Sequence, residues 1–144
     1  MELVGMGILK PVVVLAIWTM VMWVWMYATR IPAMSKARTD FDRLANDPEY
    51  TVDKAVPANV QWKAKNYNHL HEAPTVFYAI AMVLAVIGQG DGLNEYLGWA
   101  YVGLRVIHSL VQATINKIVL RFSIFAMSSL VLMALIVHAA VALL

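Results

Sequence analysis

The chain has 144 residues, of which 61% are hydrophobic and 14% charged, with a formal net charge of +2. At a mean hydropathy of +0.66 it is too apolar for a soluble domain of this length. Its 11 basic and 9 acidic residues are interleaved, which excludes a nucleic-acid patch, and the lack of cysteine excludes disulfides, thiolate metal ligands and a cysteine nucleophile. Any thiol chemistry must therefore use a thiol brought by a substrate.

The first apolar run covers residues 3–28, and a membrane span is expected over 4–28. Pro11 suits a first helical turn, with Lys10 before it near the interface. Trp18, Trp23, Trp25 and Tyr27 crowd its second half, as an interfacial belt does. The run lacks a basic n-region and a clear small-residue cleavage site, so an anchor helix is expected rather than a removed leader.

Residues 30–67 are polar and charged and are expected to form a cytoplasmic loop. Within it, Thr39 is placed to cap a short surface helix that dips Phe41 and Leu44 toward the membrane. Asn46-Asp-Pro and Val56-Pro read as turns. The second span is expected over 69–89, with Glu72 and Pro74 near its start. Pro74 either kinks that helix or sits in its first turn. Gly88-Gln-Gly-Asp-Gly is a flexible turn. Spans three and four are expected over 93–116 and 121–144, separated by a short basic break.

Four spans make a single all-α domain over 1–144, a polytopic membrane protein with a four-transmembrane-helix bundle. The connections holding Arg30, Lys36, Arg38, Arg43, Lys54, Lys63 and Lys65, and Lys117 and Arg121, carry the basic residues. The connection with Asp91 and Glu95 has none. By the positive-inside tendency, 30–67 and 117–121 face the cytoplasm and both termini face outward.

The polar residues of these spans are the informative ones. Arg105, His108 and Gln112 are spaced i, i+3, i+7 and share one helical face. A cation facing hydrocarbon costs about 2.5–3.5 kcal/mol even on the gentlest scale, so this face should look into protein or a wet cavity. Glu72 lies just inside the second span at the basic side. Lys65, Asn68 and His69 join its face if the helix extends back that far. Arg121 opens the fourth span at the same level. Cations gathered around one acid at the cytoplasmic end of a greasy bundle suit an anionic, polar ligand beside a lipophilic one.

Plainer roles exist for each residue. Arg121 can be a snorkelling boundary residue, Glu72 can pair with Arg105 to lock the bundle, and His108 can be an interhelical hydrogen-bonder. His138 on an apolar face reads as structural. His69-Leu-His71-Glu72 resembles a metal site only on paper, because i and i+2 point apart on a helix, and no metal is expected. A haem between His108 and His138 would need matched depths, which the spacing does not provide.

Two stretches carry a family resemblance. Asn66-Tyr-Asn-His-Leu-His-Glu72-Ala-Pro74-Thr-Val-Phe77-Tyr78 is similar to the Asn/Glu/Pro/Phe-Tyr segment opening the second helix of the MAPEG proteins, the membrane-associated proteins of eicosanoid and glutathione metabolism. Arg105-x-x-His108, followed by Arg121, resembles the arginine and histidine spacing of microsomal prostaglandin E synthase in the same family. The resemblance implies a bacterial-type member in an inner membrane, a homotrimer among membrane lipids, with glutathione as co-substrate bound between subunits. It implies Arg121 beside the glutathione sulfur as the catalytic residue, and Arg30, Lys65, Asn66, His69, Glu72, Arg105, His108 and Gln112 as glutathione-binding residues. The implied activity is glutathione transfer to small lipophilic electrophiles or reduction of lipid hydroperoxides. Gln112 stands where the synthases show Tyr, Lys65 where Arg is frequent, and His69 where Asn is common. Those departures leave a second reading, a non-catalytic lipid-binding or accessory subunit of a membrane complex.

Overall fold

The computed structural model describes residues 5–144, so the expected start of the first span at residue 4 lies outside the described residues. Among the described residues, seven helices run in chain order: α1 (Leu9–Lys36), α2 (Phe41–Asn46), α3 (Val52–Ala55), α4 (Ala58–His69), α5 (Ala73–Val86), α6 (Leu93–Thr114) and α7 (Ile118–Leu143). Among the described residues there is no strand. α1, α5, α6 and α7 form the bundle, with neighbours α1–α5, α5–α7, α7–α6 and α6–α1, while α4 lies against α1 and α6.

Each outer helix buries one stripe. α1 buries Pro11, Leu15, Met22 and Met26, and α7 buries Ile124, Ser128, Leu132, Leu135 and Ala139. These steps of three, four and seven residues are one face of a helix. The other faces expose large apolar side chains such as Val13, Ile17, Met20, Leu130 and Met133. In lipid, exposed apolar surface costs nothing, and packing rests on close van der Waals fit and small residues. Gly98 of α6 supplies such a fit, since a Cβ there would stand 3.0 Å from Pro11 and 3.1 Å from Ile8. Phe77 of α5 and Tyr101 of α6 stack across the interior with centroids 4.5 Å apart.

Among the described residues, three stretches are long and apolar enough to cross a membrane: Leu9–Lys36, Ala58–Val86 and Ile118–Leu143. The expected third span, 93–116, contains α6 but is not one of them. Its polar residues explain the difference: Asn94, Arg105, His108, Ser109 and Gln112 are all buried. α6 faces protein on more of its circumference than any other bundle helix, so it can carry groups that hydrocarbon would reject.

The expected loop 30–67 is mostly helical. α1 continues to Lys36, and α4 fills its second half. α4 is held by packing: Val60 and Ala64 are buried, and Lys63 Nζ donates to Asn59 O and Ala113 O and sits 5.4 Å over the Trp25 ring. The cap of α2 is Asp40, whose carboxylate accepts from the Arg43 amide; Thr39 instead donates its hydroxyl to Met34 O. Phe41 stays exposed and Leu44 is half-buried. The second apolar helix is interrupted at residues 70–72, and Pro74 sits in the first turn of α5, where its missing N–H has no intrahelical partner to lose.

At the end away from this break, the 88–92 turn clasps the chain start. Ile8 N donates to Gly90 O, and the Asp91 carboxylate accepts from the amides of Gly5 and Gly7 at 2.5 and 2.8 Å. On the same side, His138 Nδ1 and Asn94 Oδ1 lie 2.6 Å apart and tie α7 to α6. The Gly5 and Gly7 amides, with Lys10 nearby, hold the Asp91 carboxyl below its ordinary value. A depressed carboxyl stabilises the fold above its unfolded pKa and loses that contribution as pH falls through the folded one.

Amide protection at Gly5 and Gly7, corrected for intrinsic exchange, should therefore hold at neutral pH and collapse only below about pH 4; Asp91→Asn should abolish that acid transition. At Gly90 a Cβ would collide with the Gly5 carbonyl oxygen. Gly90→Ala should cost about 1–3 kcal/mol in a detergent melt, whereas an unchanged midpoint would show that the clasp is loose.

Candidate functional site

The break at residues 70–72 is where the site forms. α4 ends at His69, and Glu72 stands immediately before α5. His69 Nδ1 and Glu72 Oε2 are 3.0 Å apart, so the pair spans the break that a continuous helix would have closed. Arg105, from α6, points its guanidinium here and donates Nη2–H to His69 O at 3.3 Å. Its side chain is 2% exposed, and its Nε and Nη1 have no protein partner among the described residues. The His108 ring lies 6.4 Å from that of His69, centroid to centroid.

The opposite wall comes from α7. A helix break after α6 sets its start, and Asn116 makes that break with φ of 50°. Asparagine tolerates this left-handed conformation better than most residues. Ile115 N and Asn116 N both donate to Val111 O, which closes the end of α6. One turn later Arg121 donates Nη1–H to Asn116 Oδ1 at 2.5 Å. Ile118, Phe122 and Phe125 follow the i, i+4, i+7 spacing and line the same side as Arg121.

Together these residues bound a pocket of about 260 Å³, lined by His69, Glu72, Arg105, His108, Ile118, Arg121, Phe122 and Phe125. Its polar half holds two guanidiniums, two imidazoles and one carboxylate. Its other half is apolar, and Phe122 and Phe125 are exposed toward the bundle exterior. The Arg105 Cζ lies 5.9 Å over the Phe125 ring, so the halves touch.

Five of the nine residues singled out from the sequence line this pocket: His69, Glu72, Arg105, His108 and Arg121. The other four do not. Arg30 lies 3.5 Å from Asp53 on α3. Lys65 is exposed on α4. Asn66 and Gln112 are 0% and 1% exposed. Contacts between His69 and Arg105, and between Lys63 and Ala113, set α4 antiparallel to α6 and bring Asn66 to the level of Ser109. Asn66 and Gln112 thus belong to a buried polar seam behind Arg105. Ile118, Phe122, Phe125 and Asn116 were not singled out from the sequence. The three apolar residues share a helical spacing, but lipid-facing residues show the same pattern, and Asn116 differs from an ordinary loop residue only by following an apolar helix.

A family model described as the MAPEG family matches residues 8–141, nearly the whole chain. No curated protein and no solved structure matches the chain. The match takes in all four bundle helices, except α7's last two residues, and every residue of the pocket. The apolar helices make the protein an integral membrane protein, and the chain belongs to the MAPEG family, a membrane superfamily of glutathione and eicosanoid metabolism.

Proposed function

We propose that the pocket binds glutathione and that the protein is a glutathione-dependent membrane transferase or peroxidase acting on lipophilic electrophiles or lipid hydroperoxides. The observation that carries this reading is the division of the pocket. Arg105, Arg121 and His108 offer donors to carboxylates, Glu72 offers an acceptor to an amine, and Ile118, Phe122 and Phe125 offer an apolar face beside them. A tripeptide with two carboxylates, one amine and a thiol matches the first set, and a hydrocarbon electrophile matches the second. The unpartnered Nε and Nη1 of Arg105 supply a further argument, because a buried donor left unpaired costs about 1–3 kcal/mol and a ligand carboxylate removes that cost.

A thiol with a pKa of about 8.5 is mostly protonated at neutral pH, and only the thiolate attacks. Arg121 cannot lose its proton, so a sulfur held beside it is stabilised as the anion. With an electrophile, sulfur forms a bond to carbon, and the displaced pair leaves with a leaving group or takes up a proton. With a hydroperoxide, two thiols become a disulfide while the peroxide becomes an alcohol and water. No covalent enzyme nucleophile is needed.

The same reading includes α6 as the third of four spans in one domain, the site facing the cytoplasm of a bacterial inner membrane, and a homotrimer. Ligand sites for drug-sized molecules measure about 300–1,000 Å³. At about 260 Å³, open toward Phe122, one chain's pocket is small for a tripeptide and a lipophile together. A neighbouring subunit would supply the outer wall. In the same assembly Arg30 and Lys65 would meet the ligand from an adjacent copy, which neither does within one chain.

A specific feature supports a second reading, a non-catalytic accessory or lipid-binding subunit: Gln112, where related synthases have a phenol, is buried in the seam and offers no hydroxyl to the pocket. Stable co-purification with other membrane proteins, together with no thiol-dependent turnover, would select it.

Arg121→Ala should lower glutathione-dependent turnover about 10²-fold with helical content retained. Glu72→Gln should raise the glutathione KM more than it lowers kcat. Wild-type turnover in Arg121→Ala would remove that residue from the chemistry. Arg105→Leu should leave the melt unchanged or raise its stability by up to about 4 kcal/mol, because a buried cation is replaced by an apolar side chain, while glutathione binding is lost. A destabilised Arg105→Leu protein would make Arg105 a structural lock instead.

A further inference from the structure

We propose that Asn116 is a positioning residue for Arg121, holding its guanidinium over the pocket through the carboxamide oxygen. The inference rests on the glutathione reading for its catalytic consequence, but not for the tether itself.

Three observations converge on this side chain. Asn116 has φ of 50°, and the closing bonds from Ile115 N and Asn116 N to Val111 O fix where it sits. Its carbonyl oxygen Oδ1 accepts from Arg121 Nη1 at 2.5 Å, the only hydrogen bond that the Arg121 side chain makes among the described residues. Arg121 in turn lines the pocket, in the first turn of α7. One residue therefore ends α6, precedes α7 and grips the cation that α7 carries.

The physical need for a grip is specific to this place. An arginine at a membrane boundary is drawn outward to the interface, and its long side chain has many rotamers. Nothing acidic holds Arg121 within salt-bridge distance among the described residues. A carboxylate in the role of Asn116 would hold the guanidinium but offset its charge, which is the property a thiolate needs. A carboxamide restrains the group and leaves its full positive charge directed at the ligand. The remaining guanidinium donors then stay available on a side chain of restricted motion.

The glycine and aspartate variants separate restraint from charge. Asn116→Gly keeps the left-handed backbone without penalty and deletes only the carboxamide. Asn116→Asp keeps an acceptor and adds a negative charge. The full-length protein in lipid nanodiscs would be studied with isotope-labelled arginine, the Arg121 signal being assigned by its loss in Arg121→Lys. The tether predicts slow rotation of the Arg121 Nη groups in the wild type and in Asn116→Asp, and fast rotation in Asn116→Gly. With glutathione as the probe, both variants should weaken thiolate formation, with kcat falling about tenfold and KM changing less than threefold. In an Arg121→Ala background, Asn116→Gly should have no further effect on kcat. Fast Arg121 rotation in the wild type, or unchanged rotation in Asn116→Gly, overturns the tether whatever glutathione does. Slow rotation lost in Asn116→Gly with no thiolate signal in any form upholds the tether and overturns the glutathione reading instead. A slow-to-fast change with wild-type kcat in Asn116→Gly overturns the positioning role.

Discussion

The structure turns on a buried cation. Arg105 is 2% exposed on α6, and among the described residues its one hydrogen-bond partner is a backbone oxygen at the end of α4. Such a charge is expensive, and the rest of the architecture reduces its cost. α6 packs against α1, α4 and α7, so the guanidinium is surrounded by protein and the pocket. At the helix break the His69 carbonyl accepts from both Glu72 N and the Arg105 guanidinium, and Glu72 is brought to the same end. The pocket lined by Arg105 thus gathers a second guanidinium, Arg121, and one carboxylate, Glu72.

That constraint explains the division of labour among the helices. α1, α5 and α7 bury single stripes of Leu, Met, Phe and Ala and present apolar flanks to lipid. α6 carries the polar interior, and α4 covers it with Asn66 beside Ser109 and Gln112. The seam's atoms without a partner among the described residues, Asn66 Oδ1 and Nδ2, Ser109 Oγ and Gln112 Oε1, sit behind Arg105 rather than in front of it. Buried polar atoms without partners cost stability, and the pocket lies beside this seam, as expected where function competes with packing.

Much of this was legible in the amino-acid sequence, and the remainder was hidden for identifiable reasons. Three of the four bundle helices announce themselves as apolar runs, and the spacing of Arg105, His108 and Arg121 with Glu72 identified the residues that meet. α4 was hidden because its composition is polar: its order comes from Val60, Ala64 and the Lys63 contacts to α6 and Trp25, none of which has a local signature. The break before Glu72 was foreshadowed only by Pro74. Helical periodicity placed Gln112 on the face of Arg105 but could not say which neighbour covers each turn. In the fold, Arg105 reaches the pocket, whereas Gln112, two turns on, is closed off in the buried seam. Arg30 came from resemblance alone, whereas Lys65 was also placed on the Glu72 face on the condition of a continuous helix, which the break at 70–72 removes; a single chain keeps both away from the pocket.

The central claim is that this pocket holds glutathione as a thiolate. The most direct measurement is ultraviolet difference absorbance as glutathione is titrated into the purified protein, with Arg121→Ala alongside. The account predicts a saturable thiolate signal at neutral pH that the variant loses while remaining folded. A folded oligomer that gives no thiolate signal, or a variant that gives the same signal as the wild type, would contradict it.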